Sequence, residues 1–191
     1  MSKDGRARIW TWVGYPESLP SDFRNTLNEE HIKWVLSPLH QYDTDENGEV
    51  KKAHYHFVAI FESSHSFSQV EEITKKIHAT IPQKVNSVRG AIRYLIHLDD
   101  QDKFQYSRDE IEVYGGADIS EYFKPTVCEK REMLKEMVRY IADNNITEFI
   151  DFSLWCAENN EDWFSVLSEQ NSYFIAQAIK SQRFKSLNEK K

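Results

Sequence analysis

The stretch Ala53-His54-Tyr55-His56-Phe57-Val58-Ala59-Ile60-Phe61 constrains this chain more than any other. After its two histidines it is apolar on both alternating faces, the pattern of a central strand covered on each side. The run Ile32-Lys33-Trp34-Val35-Leu36-Ser37-Pro38-Leu39-His40 reads as a second strand, with Pro38 near its end, where a missing ladder donor matters least. The polar segment Asp43-Thr44-Asp45-Glu46-Asn47-Gly48 joins the two, so they are expected to pair as an antiparallel hairpin.

Other segments supply the partners such a hairpin needs. Alternation over residues 7–13, followed by Gly14-Tyr15-Pro16, predicts a first strand and a turn, and Ser21 is expected to cap a helix through residue 30. Ser68-Gln69-Val70-Glu71 fits a capping box ahead of the stripe Val70, Ile73, Ile77, with Pro82 as the stop. Residues 85–87 form a candidate short strand. Val88, Ile92, Leu95 and Ile96 then share one face of a further helix, with Gly90, Arg93, Tyr94 and His97 on the other side. Residues 103–106 and 111–114 are strand-like, the latter ending at Gly115-Gly116. Strand, helix, hairpin, helix is an α+β order, an antiparallel sheet with flanking helices over residues 1–124. A boundary near Pro125 then gives way to an all-helical subdomain over 125–191. It comprises a helix at 129–144, carrying Met133, Met137, Val138 and Ile141 on one side, and three more helices starting near Thr147, Asp162 and Ser172.

Composition narrows the function classes. With 5 Trp, 9 Tyr and 11 Phe the chain can bury a core, and Trp10 and Trp12 are expected there, although exposed aromatics could stack on bases. Cys128 and Cys156 lack partners at metal-ligand spacing and are expected to be reduced core residues. The net charge of −7, with 15 basic against 20 acidic residues up to Lys124, excludes broad nonspecific nucleic-acid binding but not a local patch. Arg8, Lys51, Lys52, Arg93 and Lys103 are the candidates for phosphate contacts. No long apolar run is present and Met1-Ser2-Lys3-Asp4-Gly5-Arg6 lacks the apolar core of a signal peptide, so a cytoplasmic protein without membrane contact is expected.

The hairpin carries the chemistry. Residues two apart in a strand project from one face, so His54 and His56 can reach one cation while Tyr55 points away. Antiparallel pairing brings His40 to His54, and Asp43 sits in the loop just above, although the acids at 45, 46 and 49 compete with it. Three imidazoles and a carboxylate suit a divalent ion such as Mn²⁺ or Mg²⁺. An ordinary solvated hairpin loop would share the spacing. Tyr94 lies opposite its helix's apolar stripe, with Gly90 one turn earlier leaving room for a strand. A phenol, with a pKa of about 10, attacks a phosphate only once the phosphate is polarised. Tyr106 and Tyr55 are rivals, Tyr55 disfavoured because it faces away from its flanking histidines.

Tyr15-Pro16-Glu17-Ser18-Leu19-Pro20-Ser21-Asp22, Ser37-Pro38-Leu39-His40 with Asp43, Lys51-Lys52-Ala53-His54-Tyr55-His56 and Tyr94-Leu95-Ile96-His97 occur in that order over roughly the first 120 residues. Together they resemble the RepB-type replication initiators of rolling-circle plasmids, within the HUH endonucleases. The resemblance implies a ferredoxin-like nicking domain, metal ligands at His40, Asp43, His54 and His56, and a nucleophile at Tyr94. It also implies nicking of a hairpin at the plasmid's double-strand origin, a 5′ phosphate kept on tyrosine and a 3′ hydroxyl freed to prime synthesis. The partners would then be origin DNA, host helicase and polymerase, while the C-terminal helices would either join copies of the chain or, as a helix-turn-helix, contact DNA. No lysine stands three or four residues after Tyr94, as it does in viral relatives, so a cation assisting it would be Arg93 or Lys103. A relaxase, a single-tyrosine transposase or a non-cutting regulator on the same fold are the alternatives.

Overall fold

The computed structural model describes residues 5–188, so Met1 to Asp4 of the N-terminal stretch lie outside the described residues. Two compact units divide between Phe123 and Lys124. The first is built on five strands, β1 (Ala7–Gly14), β2 (Lys33–Leu36), β3 (Tyr55–His65), β4 (Gln83–Lys84) and β5 (Glu112–Tyr114), in the order β4-β1-β3-β2-β5, every pair antiparallel. β3 is central, as its two-faced apolar pattern requires. On one side Trp10, Trp12, Trp34, Phe57 and Phe61 pack against α1 (Phe23–Glu29) and α2 (Phe67–Lys76). On the other, Val35 and Val58 pack against α3 (Val88–Tyr94) and α4 (Ser120–Phe123). Trp10 and Trp12 are thus core residues and are closed to bases.

Several element ends depart from expectation for identifiable reasons. Asp22, not Ser21, precedes α1, with no side-chain cap. The capping box of α2 is Ser66 with Gln69, two residues earlier than expected, because β3 runs on to His65 and delivers Ser66 directly to the helix start. That helix ends at Lys76, with His78 in the left-handed region at φ 54°, well before Pro82. The short strand expected at 85–87 lies at Gln83–Lys84, since Ser87 accepts from the Gly90 amide and caps α3 instead. Residues 103–106 form no strand. Their anchor is Tyr106, buried against the site described below.

The departure that matters most lies at the end of β2. Leu36 pairs with Phe57, yet His40 pairs with His54 in an isolated bridge, so one extra residue sits between Leu36 and His40 relative to the facing strand. Pro38 cannot donate there, and the Ser37 hydroxyl takes the His56 amide at 2.9 Å. A one-residue slip turns the following side chains to the opposite face. Without it His40 would share the face of Trp34 and Leu36. With it, His40 stands on the α3 side with His54 and His56.

The second unit packs α5 (Val127–Asp143), α6 (Phe149–Asn159), α7 (Glu161–Val166), a π-helical segment (Leu167–Asn171) and α8 (Ser172–Asn188) around Met137, Ile141, Phe152, Cys156, Trp163 and Ile179. Thr126 and Glu129 form the capping box of α5. Cys156 is buried, and burial pushes its thiol up to about 11. Cys128 is exposed rather than buried, because it falls in the first turn of α5 on the solvent side. Among the described residues no helix is long and apolar enough to cross a membrane.

Candidate metal centre and nucleophile

Five side chains converge on the α3 face of the sheet, at the end where β1 and β3 pair Gly14 with Tyr55. His40, His54 and His56 each offer a ring nitrogen within 4.8 Å of the others, and His40, Asp43 and His97 form a second such set sharing His40. The four ligands expected from sequence are therefore brought together, across two overlapping triads.

Three of the four imidazoles are oriented by a carbonyl. His40 Nε2 donates to Leu95 O at 2.9 Å, His54 Nδ1 to Lys52 O at 2.8 Å and His97 Nδ1 to Phe104 O at 2.9 Å. The opposite nitrogens keep their lone pairs, as in metal-binding histidines whose second nitrogen is fixed by an outer acceptor. His54 Nε2 then lies 3.2 Å from His56 Nε2. His40 Nδ1 and His97 Nε2 are buried with no hydrogen-bond partner, 3.4 and 3.6 Å from Asp43 Oδ2. Lone pairs facing a carboxylate in a buried site repel one another unless a cation intervenes, so the donor set fits a divalent ion. Burial, reinforced by the neighbouring imidazoles and Lys103, pushes His56 down to about 3, and burial lowers His40 as well. Both are neutral near pH 7, the form that ligates metal.

His97 was expected on the helix face opposite the apolar stripe, with Gly90, Arg93 and Tyr94. It is instead buried, because α3 stops at Tyr94 and the chain closes in a Schellman turn. Leu98 N donates to Arg93 O at 3.1 Å, and His97 itself takes the left-handed conformation at φ 57°. That single backbone reversal swings its ring inward. The Tyr-x-x-His spacing was the available signal, read as helical when the helix had already ended.

Tyr106 is also part of the site. Its ring stacks on His40 with centroids 4.3 Å apart and planes 2° from parallel, and its hydroxyl donates to Asp43 Oδ1 at 2.9 Å. Burial, together with that bond, pushes its phenol up to about 12, and at 8% exposure it is far less open to a substrate than Tyr94. Tyr55 packs into the opposite core, as its strand position requires.

Tyr94 is 40% exposed at the end of α3, its ring edge-on to His56 at 5.2 Å and His97 at 5.1 Å. Lys103 supplies the neighbouring cation. Its ammonium is 3.4 Å from Tyr94 Oη and 4.7 Å from the ring centroid, and Asp100 holds it at 2.9 Å. The Arg93 guanidinium is held by Asp99, which binds its Nε at 2.8 and 2.9 Å. Lys52 pairs with Glu17 and lies over Tyr15, whose ring is 6.3 Å from that of His54, so this cation is near the cluster. Lys51 is exposed in the joining loop. Arg8 is at the far end of β1 from His56, about 17 Å along the strand at about 3.3 Å per residue, donating to Phe61 O at 3.3 Å.

Two family models match this chain, one in each part. Residues 2–120 match the family model described as plasmid replication protein, origin binding domain, and residues 127–184 match that of replication protein RepB, C-terminal. A replication protein of Staphylococcus aureus is 41% identical over 185 residues, covering 96% of this chain and 93% of that one. RepB of Lactiplantibacillus plantarum is 39% identical over 178 residues, 92% and 81% of the two chains. RepB of Streptococcus agalactiae is 29% identical over 176 residues, 85% and 82%.

Proposed function

This chain belongs to the RepB-type rolling-circle plasmid replication initiators, and from that premise we propose that it is a metal-dependent, site-specific single-strand DNA nickase and strand transferase acting at the plasmid's double-strand origin. The observation that carries the reading is the contact of the exposed Tyr94 ring with His56 and His97, members of the two ligand triads.

His40, Asp43, His54 and His56, with His97 beside them, would hold Mn²⁺ or Mg²⁺. A bound divalent ion supplies charge neutralisation at the nonbridging phosphate oxygens. Tyr94 Oη attacks phosphorus, the bond from phosphorus to the 3′ oxygen breaks, the phenolic proton leaves to solvent, and the departing oxygen takes up a proton to become the priming hydroxyl. Lys103, within 3.4 Å, favours the phenolate as it develops. The 5′ phosphotyrosine retains the bond energy needed for later strand transfer. For residues 124–191 the reading is association between copies of the chain, supported by the outward-facing Tyr173, Phe174 and Phe184.

The test is incubation with Mn²⁺ and a labelled hairpin oligonucleotide carrying the origin's nick sequence. A covalent adduct that disappears in Tyr94→Phe and with a chelator is the expected result. Binding without any adduct would instead indicate a non-cutting regulator.

A further inference from the structure

A cleft of about 480 Å³ opens directly beside the nucleophile, bounded by β1, the segment leading into β4, and α3. Tyr94 and His56 form its inner wall, and Thr11, Val13, Thr80, Ile81, Gln83, Gly90 and Ala91 are among the rest of its lining. Its size falls in the range of about 300 to 1,000 Å³ typical of small-ligand clefts. We infer that this cleft receives the unpaired base of a nucleotide flanking the scissile phosphate, and so sets part of the sequence preference of the nick. The inference rests on the nicking reading above and deepens it.

Four observations favour a base over another occupant. The cleft is continuous with Tyr94, so a phosphodiester within reach of Oη can place an adjoining nucleoside there, whereas the smaller cleft on the other side of Tyr94 is lined by Asp99 and Asp100, which repel a nucleic-acid strand. No lining residue is acidic, in a chain of net charge −7. Ile81 is 64% exposed on the rim, an apolar surface of the kind a base's π-face covers. Gly90 keeps the α3 side open: a Cβ there would meet only Ser87, at 3.3 and 3.5 Å, so larger side chains would project from the helix into the space.

Polar groups for reading a base edge are present but few. Gln83, exposed on β4 opposite Thr11, offers an amide with both donors and an acceptor. The Thr80 hydroxyl accepts from Val13 N at 2.9 Å and retains its own proton to donate. A mostly apolar slot with one adaptable amide would hold any base by its faces and prefer some by their edges.

The experiment measures the rate of Tyr94 adduct formation on the nick-bearing hairpin, with an abasic site placed in turn at the nucleotide on each side of the nick. One of the two should slow the reaction by about tenfold or more, the scale of a lost base contact. Ile81→Gln, at an exposed position, and Gly90→Leu should slow the intact substrate similarly and add little on that abasic substrate, since both remove the same contact without adding charge. Gln83→Ala should leave the abasic rate unchanged while flattening preference among the four bases at that position. Full wild-type rates with both abasic substrates, or losses in the variants that persist undiminished on them, would overturn the inference while leaving nicking intact. Failure of the intact hairpin to form any adduct would overturn the nicking reading, and the inference with it.

Discussion

Removing one hydroxyl, in Tyr106→Phe, should weaken metal binding while leaving the fold in place. The Tyr106 ring would still stack on His40 at 4.3 Å, so packing is conserved; the 2.9 Å bond to Asp43 Oδ1 is lost, together with the bond that Tyr42 N donates to the same hydroxyl at 3.1 Å. Hydrogen bonds to charged groups contribute about 1.5 to 3 kcal/mol. At about 1.4 kcal/mol per factor of ten, that corresponds to about a 10- to 100-fold loss of affinity. The same range, about 10- to 100-fold, is typical when an outer partner of a metal ligand is removed. The physical cause is orientation: with Oδ1 released, the carboxylate can rotate and Oδ2 need no longer face His40 Nδ1 and His97 Nε2. Isothermal titration with Mn²⁺ measures the change, with Asp43→Ala as the reference for a lost ligand. Affinity within about twofold of the wild type, against a large loss in Asp43→Ala, would refute this account of how the ligand is held.

Lys103→Gln should slow adduct formation by about tenfold to a hundredfold, at or below the usual cost of removing one transition-state donor because the ammonium is a third exposed, and single-turnover kinetics read it directly. Arg24 grips Glu112 through two hydrogen bonds at 2.6 and 2.8 Å and holds its carboxyl below the ordinary value of 4.5. That pairing therefore favours the folded state above pH 4.5 and is lost as the pH falls through the depressed value, so the stability gap between the wild type and Arg24→Gln in urea should close under acid. Phe152→Ala, emptying a fully buried position in the second unit, should cost that unit about 3 to 5 kcal/mol in equilibrium denaturation.

What could be read before the structure was governed by local periodicity. The two-faced β3, the His-x-His pair on one side of it, its antiparallel partner β2 and the burial of Ile92, Leu95 and Ile96 all follow from local spacing, and those features hold, although α3 ends at Tyr94, before the last two. The misreadings occur where one element ends and another begins. His97 belonged to no helix once the chain had reversed at its own left-handed residue. The α2 capping box was displaced because β3 outlasted its apolar stretch by several polar residues. Tyr106 carries its role through Asp43, 63 residues away, a relation that no local pattern encodes.

The extra residue between Leu36 and His40 means that the gathering of these side chains depends on a count as well as on residue types. Exchanging Leu39 for another apolar residue leaves the tally intact and should keep the first imidazole facing its companions. Deleting it would carry that ring through the plane of the sheet into the tryptophan layer, and every ligand would still be present in the chain while the cation lost its seat. Changes of length in this short connection should therefore be far more damaging than changes of identity.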